Sequence, residues 1–168
     1  MSTNFLWYPG TSNNGLLTAA VSLMTTEIES LASAAVIVSS VGGSSGVFTN
    51  SNTAQAIWAD LFFSVGSPGI PTNTLAAGAN IAGWFLTSPD SGTTFESATV
   101  APPRPPDFII PFPAATALAA LSFFKSAGLV RIPALEFKVL IQNNLGQNLG
   151  NGATAVPFLK MAPVAVQY

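Results

Sequence analysis

The chain has 168 residues, of which 49% are apolar and only 7% charged, with a net charge of −2 and neither cysteine nor histidine. That length allows one domain with a sizeable core, and the composition excludes disulfides, imidazole catalysis and thiolate or imidazole metal ligation. The five cations, Arg104, Lys125, Arg131, Lys138 and Lys160, are scattered, so there is no basic stripe for phosphates and nucleic acid is not expected as a partner.

Globular chains are about a quarter charged. A chain so far below that level has too few charges to cover an ordinary surface, so part of its surface is expected to meet protein, most simply further copies of itself. No apolar run approaches the roughly 18 residues of a spanning helix, and 13 prolines interrupt the strands that a closed membrane barrel would need. No membrane partner is expected, and the N-terminus lacks the basic and apolar regions of a signal peptide.

Residues 1–15 are rich in Ser, Thr, Asn and Gly around Phe5, Leu6, Trp7 and Tyr8. Four bulky groups beside Pro9 and Gly10 cannot build a core alone, so the segment is expected to be an extended arm that docks on its own domain or on a neighbour. Residues 16–168 form the single domain. In residues 16–31, Leu17, Val21, Met24, Ile28 and Leu31 have helical spacing, with a possible capping box at Thr26 and Glu29. The β-branched residues and the AAVIV run at 34–38 suit strand. Periodicity slightly favours helix, and strand is adopted because the resemblance described below implies it.

Residues 41–53 form a Gly/Ser/Asn loop anchored by Val47 and Phe48. Residues 54–65 alternate Ile57, Ala59, Leu61, Phe63 and Val65 against Ala56, Trp58, Asp60 and Phe62. Both faces are mostly apolar, which predicts a central strand covered by the second sheet on one side and by something else, a neighbour for example, on the other. Trp58 and Phe62 are therefore candidate contact residues, together with Phe5, Leu6, Trp7 and Tyr8.

After a loop at 67–79, residues 80–87 read as a strand carrying Trp84 and Phe85. Ser88, Pro89, Asp90 and Gly92 suit a tight turn, so residues 93–96 are expected to return as a hairpin. The proline-rich residues 101–113 exclude helix and predict a docked, extended loop, with 108–110 pairing at a sheet edge. Residues 116–125 and 129–132 read as strand broken at Gly128. Residues 131–149 read as strand, turn and return, with Leu135, Phe137, Val139 and Ile141 facing the core and Asn143, Asn144 and Gly146 reversing the chain. Residues 155–168 form a terminal strand kinked at Pro157 and Pro163.

Short strands with Gly/Pro-rich turns and no solid helix predict an all-β fold, an antiparallel β-sandwich of jelly-roll type with an extended N-terminal arm. Without histidine, a serine nucleophile has no obvious base. The carboxylate pairs Asp90/Glu96 and Glu27/Glu29 have no surrounding signature of glycan cleavage, and the acidic loop of a calcium site is absent. Phosphate-binding glycine loops are missing as well. No enzyme activity, cofactor or metal is expected.

Residues 52–65 (NTAQAIWADLFFSV), 80–96 (NIAGWFLTSPDSGTTFE), 102–113 (PPRPPDFIIPFP), 131–149 (RIPALEFKVLIQNNLGQNL) and the terminal APVAVQ together resemble small virion structural proteins of tailed bacteriophages. The resemblance covers most of the chain after residue 50 and rests on the order of these stretches. It implies a sandwich or jelly roll on the capsid surface of the virion, made in the host cytoplasm, oligomeric and bound to the major capsid protein as a decoration or cement protein. The alternative it leaves is a tail, collar or fibre component that contacts host glycan through Trp58, Trp84 or Tyr168. No catalytic residues come with it.

Overall fold

The computed structural model describes residues 21–29, 31–40, 46–50, 57–65, 74–96, 99–112, 115–116, 123–134, 136–149 and 158–164. The expected arm, with Phe5, Leu6, Trp7 and Tyr8, lies outside them, as does Tyr168. The described residues hold ten strands, one turn of 3-10 helix at Thr26–Ile28 and no α-helix. The strands are β1 (Val21–Met24), β2 (Val36–Val38), β3 (Trp58–Val65), β4 (Thr74–Leu75), β5 (Asn80–Thr87), β6 (Phe108–Pro111), β7 (Ala115–Thr116), β8 (Phe123–Arg131), β9 (Phe137–Asn144) and β10 (Phe158–Val164).

Their pairing is nested. The first strand pairs with the last, β1 with β10, and inward from there β2 pairs with β9, β3 with β8, β4 with β7 and β5 with β6, all antiparallel. The chain is thus one long ribbon in which its first half runs back against its second. The ribbon is rolled so that β10 also pairs with β3 and β9 with β5. The result is a first sheet ordered β1-β10-β3-β8 and a second ordered β2-β9-β5-β6, with β4 and β7 forming a separate small pair. This is the jelly-roll arrangement of a β-sandwich.

Alternation places the core between the sheets. Leu23, Ala59, Leu61, Phe63 and Leu159 from the first sheet meet Ile81, Phe85, Phe108, Ile110, Phe137, Val139 and Ile141 from the second. Phe85 meets Phe137 edge to face at 5.3 Å, and Phe63 meets Phe112 the same way at 6.1 Å, a favoured ring geometry. Gly83 stands opposite Phe108 across the β5–β6 ladder, and the ring lies where a Cβ would be.

Several expected elements are present: β5 spans residues 80–87 as read, β3 is an inner strand, and β6 is the edge strand within the proline-rich segment. Within residues 16–31 the described part is strand β1 followed by the 3-10 turn. Glu27 accepts bonds from the Thr25 amide and from the amide and hydroxyl of Ser40.

Three local expectations are corrected. Residues 93–96 do not return as a strand, because β5 already has β9 and β6 on its two sides and offers no free edge. Residues 145–149 do not return against β9, which lies between β2 and β5. Leu145 and Leu149 are buried there, and the Leu149 amide donates to the Leu31 carbonyl. The buried Asn143 holds this turn by donating to the carbonyls of Leu31 and Gln147 and accepting from the Leu145 amide. Finally, Gly128 does not break β8. Leu61 pairs with Gly128 and Phe62 with Ser126, so one extra residue bulges out, and Gly128 takes the left-handed φ of 76° that lets the strand continue.

Candidate functional site

The two sheets treat their outer faces differently. On the second sheet, Ala82, Trp84, Leu86 and Leu140 point away from the main core, yet all four are buried. Phe95 and residues 99–104 cover them. Phe95 and Ala101 pack against the cluster, the Trp84 indole N–H donates to the Arg104 carbonyl at 3.1 Å, and the Lys138 ammonium lies 4.6 Å over the Phe95 ring. Trp84 is only 4% exposed, so it cannot serve as the surface glycan contact that the sequence suggested.

The cover is held at both ends. At its start, the Ser88 hydroxyl accepts from the Asp90 and Gly92 amides, and the Asp90 carboxylate accepts from the Thr94 amide and hydroxyl. Those bonds, the Thr94 hydroxyl's first, lower the Asp90 pKa from 3.8 to about 2. At its end, Arg104 donates to the Asp107 carboxylate at 2.9 Å, to the Phe85 carbonyl at 2.9 Å and to Glu96 at 3.2 Å. The Asp107 bond raises the guanidinium pKa further, partial burial opposes it, and Glu96 adds to the rise. Asp107 also accepts from the Phe85 amide at 2.7 Å. The carboxylates of Asp90 and Glu96 therefore serve different partners.

The first sheet has no such cover among the described residues. Trp58, Asp60 and Phe62 alternate with the buried Ala59, Leu61 and Phe63 and so point outward. Their ladder partners on the same face include Arg131 and Leu129 of β8 and Ala162 and Lys160 of β10. Trp58 is 38% and Leu129 55% exposed, while Phe62 is partly buried. Asp60 accepts from the Ser126 hydroxyl at 2.7 Å. Of the residues predicted as contacts, the structure therefore brings Trp58 and Phe62 together on the outer face of the first sheet.

A cleft of about 650 Å³ opens at one end of the sandwich. Its lining includes Ile57, Ile132 and Pro133 as apolar wall and Thr87, Glu96, Arg104, Asp107 and Arg131 as polar wall. Four of the chain's twelve charged residues meet there. Sequence reading missed this group because its members come from β5, the cover, and the end of β8, and only the folded ribbon joins them. Among the described residues no group of three or more Asp or Glu side chains could hold a metal ion, and no helix is long and apolar enough to cross a membrane. No protein-family model, curated protein or solved structure matches this chain.

Proposed function

We propose that this protein is a structural component of a tailed-phage virion, a decoration or cement protein that binds the major capsid protein and stabilises the head shell through protein contacts. The observation that carries the proposal is the outer face of the first sheet, where Trp58 and Leu129 are exposed with no covering segment among the described residues. Tryptophan on such a face is the residue type that dominates protein interfaces. The jelly roll agrees with this role but does not select it, since the architecture hosts shell proteins, lectins and enzymes alike. The low charge of the chain supports it too, because a surface buried by neighbours has little need of solvated charges.

The test is quantitative mass spectrometry of purified particles, comparing this chain with the main shell subunit. A copy number equal to that subunit or a simple fraction of it is the expected result, and Trp58→Ala should weaken attachment to shells about tenfold or more. A handful of copies per particle would assign the chain to the tail, collar or fibre instead. Its absence from particles would overturn the virion reading altogether.

A further inference from the structure

The cleft at the end of the sandwich has a donor and acceptor pattern that the fold does not consume. Arg104 is engaged three times by its neighbours, but Arg131, exposed at the cleft, has no ion-pair partner among the described residues. Asp107 uses its Oδ2 for both Arg104 and the Phe85 amide, and its Oδ1 meets no donor among the described residues. Glu96 meets Arg104 through Oε2 alone. Thr87 adds an exposed hydroxyl, and the facing wall is Ile57, Ile132 and Pro133. Arg131 is in turn the direct cross-strand partner of Trp58.

We propose that this cleft binds a saccharide of one or two rings. Two carboxylate oxygens in want of donors call for a ligand with several O–H groups, and an apolar wall calls for one whose other face is C–H. A sugar ring offers both. The two acids and two bases of the lining sum to no net charge, which gives no pull on a polyanion such as a phosphate backbone. The volume lies within the roughly 300–1,000 Å³ of small-molecule sites. Arg131 is the specificity residue, donating to a ring hydroxyl or, in a uronic acid, to the carboxylate. The inference is independent of whether the chain belongs to a virion.

The experiment is ligand-observed NMR on the full chain against neutral hexoses, N-acetylhexosamines and uronic acids, as mono- and disaccharides at millimolar concentration. At least one is expected to bind and to shift the methyl resonances of Ile57 and Ile132. Arg131→Ala and Thr87→Val, both at exposed positions, should each weaken that binding about tenfold without changing the melting temperature. Preference for the uronic acid, lost in Arg131→Ala, would place a carboxylate on that guanidinium; equal binding of neutral sugars would place hydroxyls there. The proposal is overturned if no saccharide binds, if the shifts map elsewhere, or if neither substitution weakens binding in a variant that remains folded.

Discussion

The two sheets are built from strands of the same kind, with apolar residues on both faces, yet among the described residues one sheet is covered on both faces and the other on one. In β5 six consecutive residues are buried, whereas in β3 burial alternates and Trp58 remains exposed. The difference does not lie in the strands. It lies in the route of the chain between β5 and β6, which carries Phe95, Ala101 and Arg104 across the outer face of the second sheet and leaves the first alone. A two-sided apolar strand thus states that both faces will be covered, and its connections state which cover is internal.

The comparison is broken or upheld most sharply by a pair of tryptophan substitutions. Trp84→Ala removes a ring buried under the cover and leaves the Arg104 carbonyl without its indole donor, a loss expected to cost about 4 kcal/mol in urea unfolding. Trp58→Ala, on the open face, should cost less than about 1 kcal/mol. Equal losses would mean that another part of the same chain already shields Trp58, and the first sheet would then offer no surface to a partner.

A pair of glycines, one in each sheet, sharpens it further. At Gly83 a Cβ would lie 2.0 Å from the Phe108 ring, which is itself buried and cannot retreat, so Gly83→Ala is expected to cost about 3 kcal/mol by overpacking. Trimming the ring in Gly83→Ala/Phe108→Leu should recover part of that loss. At Gly128 nothing lies within 4 Å, and the obstacle is the φ of 76° alone, so Gly128→Ala should cost only about 1–2 kcal/mol. Chemical denaturation of the three variants checks both numbers. A larger loss at Gly128 would show that the bulge is packed against a segment the open-face description omits.

Much of this fold was legible in the residues. The alternation in 54–65 and 135–142 and the apolar run at 80–87 point to the strands found at Trp58–Val65, Phe137–Asn144 and Asn80–Thr87, and residues 108–110 are an edge strand as read. Where the reading failed, the missing information was pairing. Turn chemistry at Ser88 to Gly92 and at Asn143 to Gly146 correctly marked reversals, but a turn becomes a hairpin only if the strand before it keeps a free edge. In a rolled ribbon β5 and β9 have none, because their second neighbours arrive from distant sequence. The cleft was invisible for the same reason. Arg104 and Glu96 are close in sequence and could have been paired, but Arg131 and Ile57 join them only through the β3–β8 ladder and the loop that follows it.

The smallest expected effect concerns the latch that starts the cover. Asp90 is fully exposed, and its pKa in the fold, about 2, lies below its usual 3.8 because Thr94 and Ser88 donate to the ionised carboxylate. A group depressed in the folded state stabilises it once ionised, so its contribution is present above about pH 4 and is lost as the pH falls toward 2. The protection of the Gly92 and Thr94 amides, taken relative to the intrinsic exchange rate at each pH, should therefore fall on acidification across that window, ahead of that of the β5 amides. In Asp90→Ala the same two amides should exchange faster already at neutral pH, with no further step on acidification. If they remain protected down to pH 2 in the native chain, the latch does not depend on the charge of Asp90, and the clamp of Arg104 on Glu96, Asp107 and the Phe85 carbonyl must hold the cover by itself.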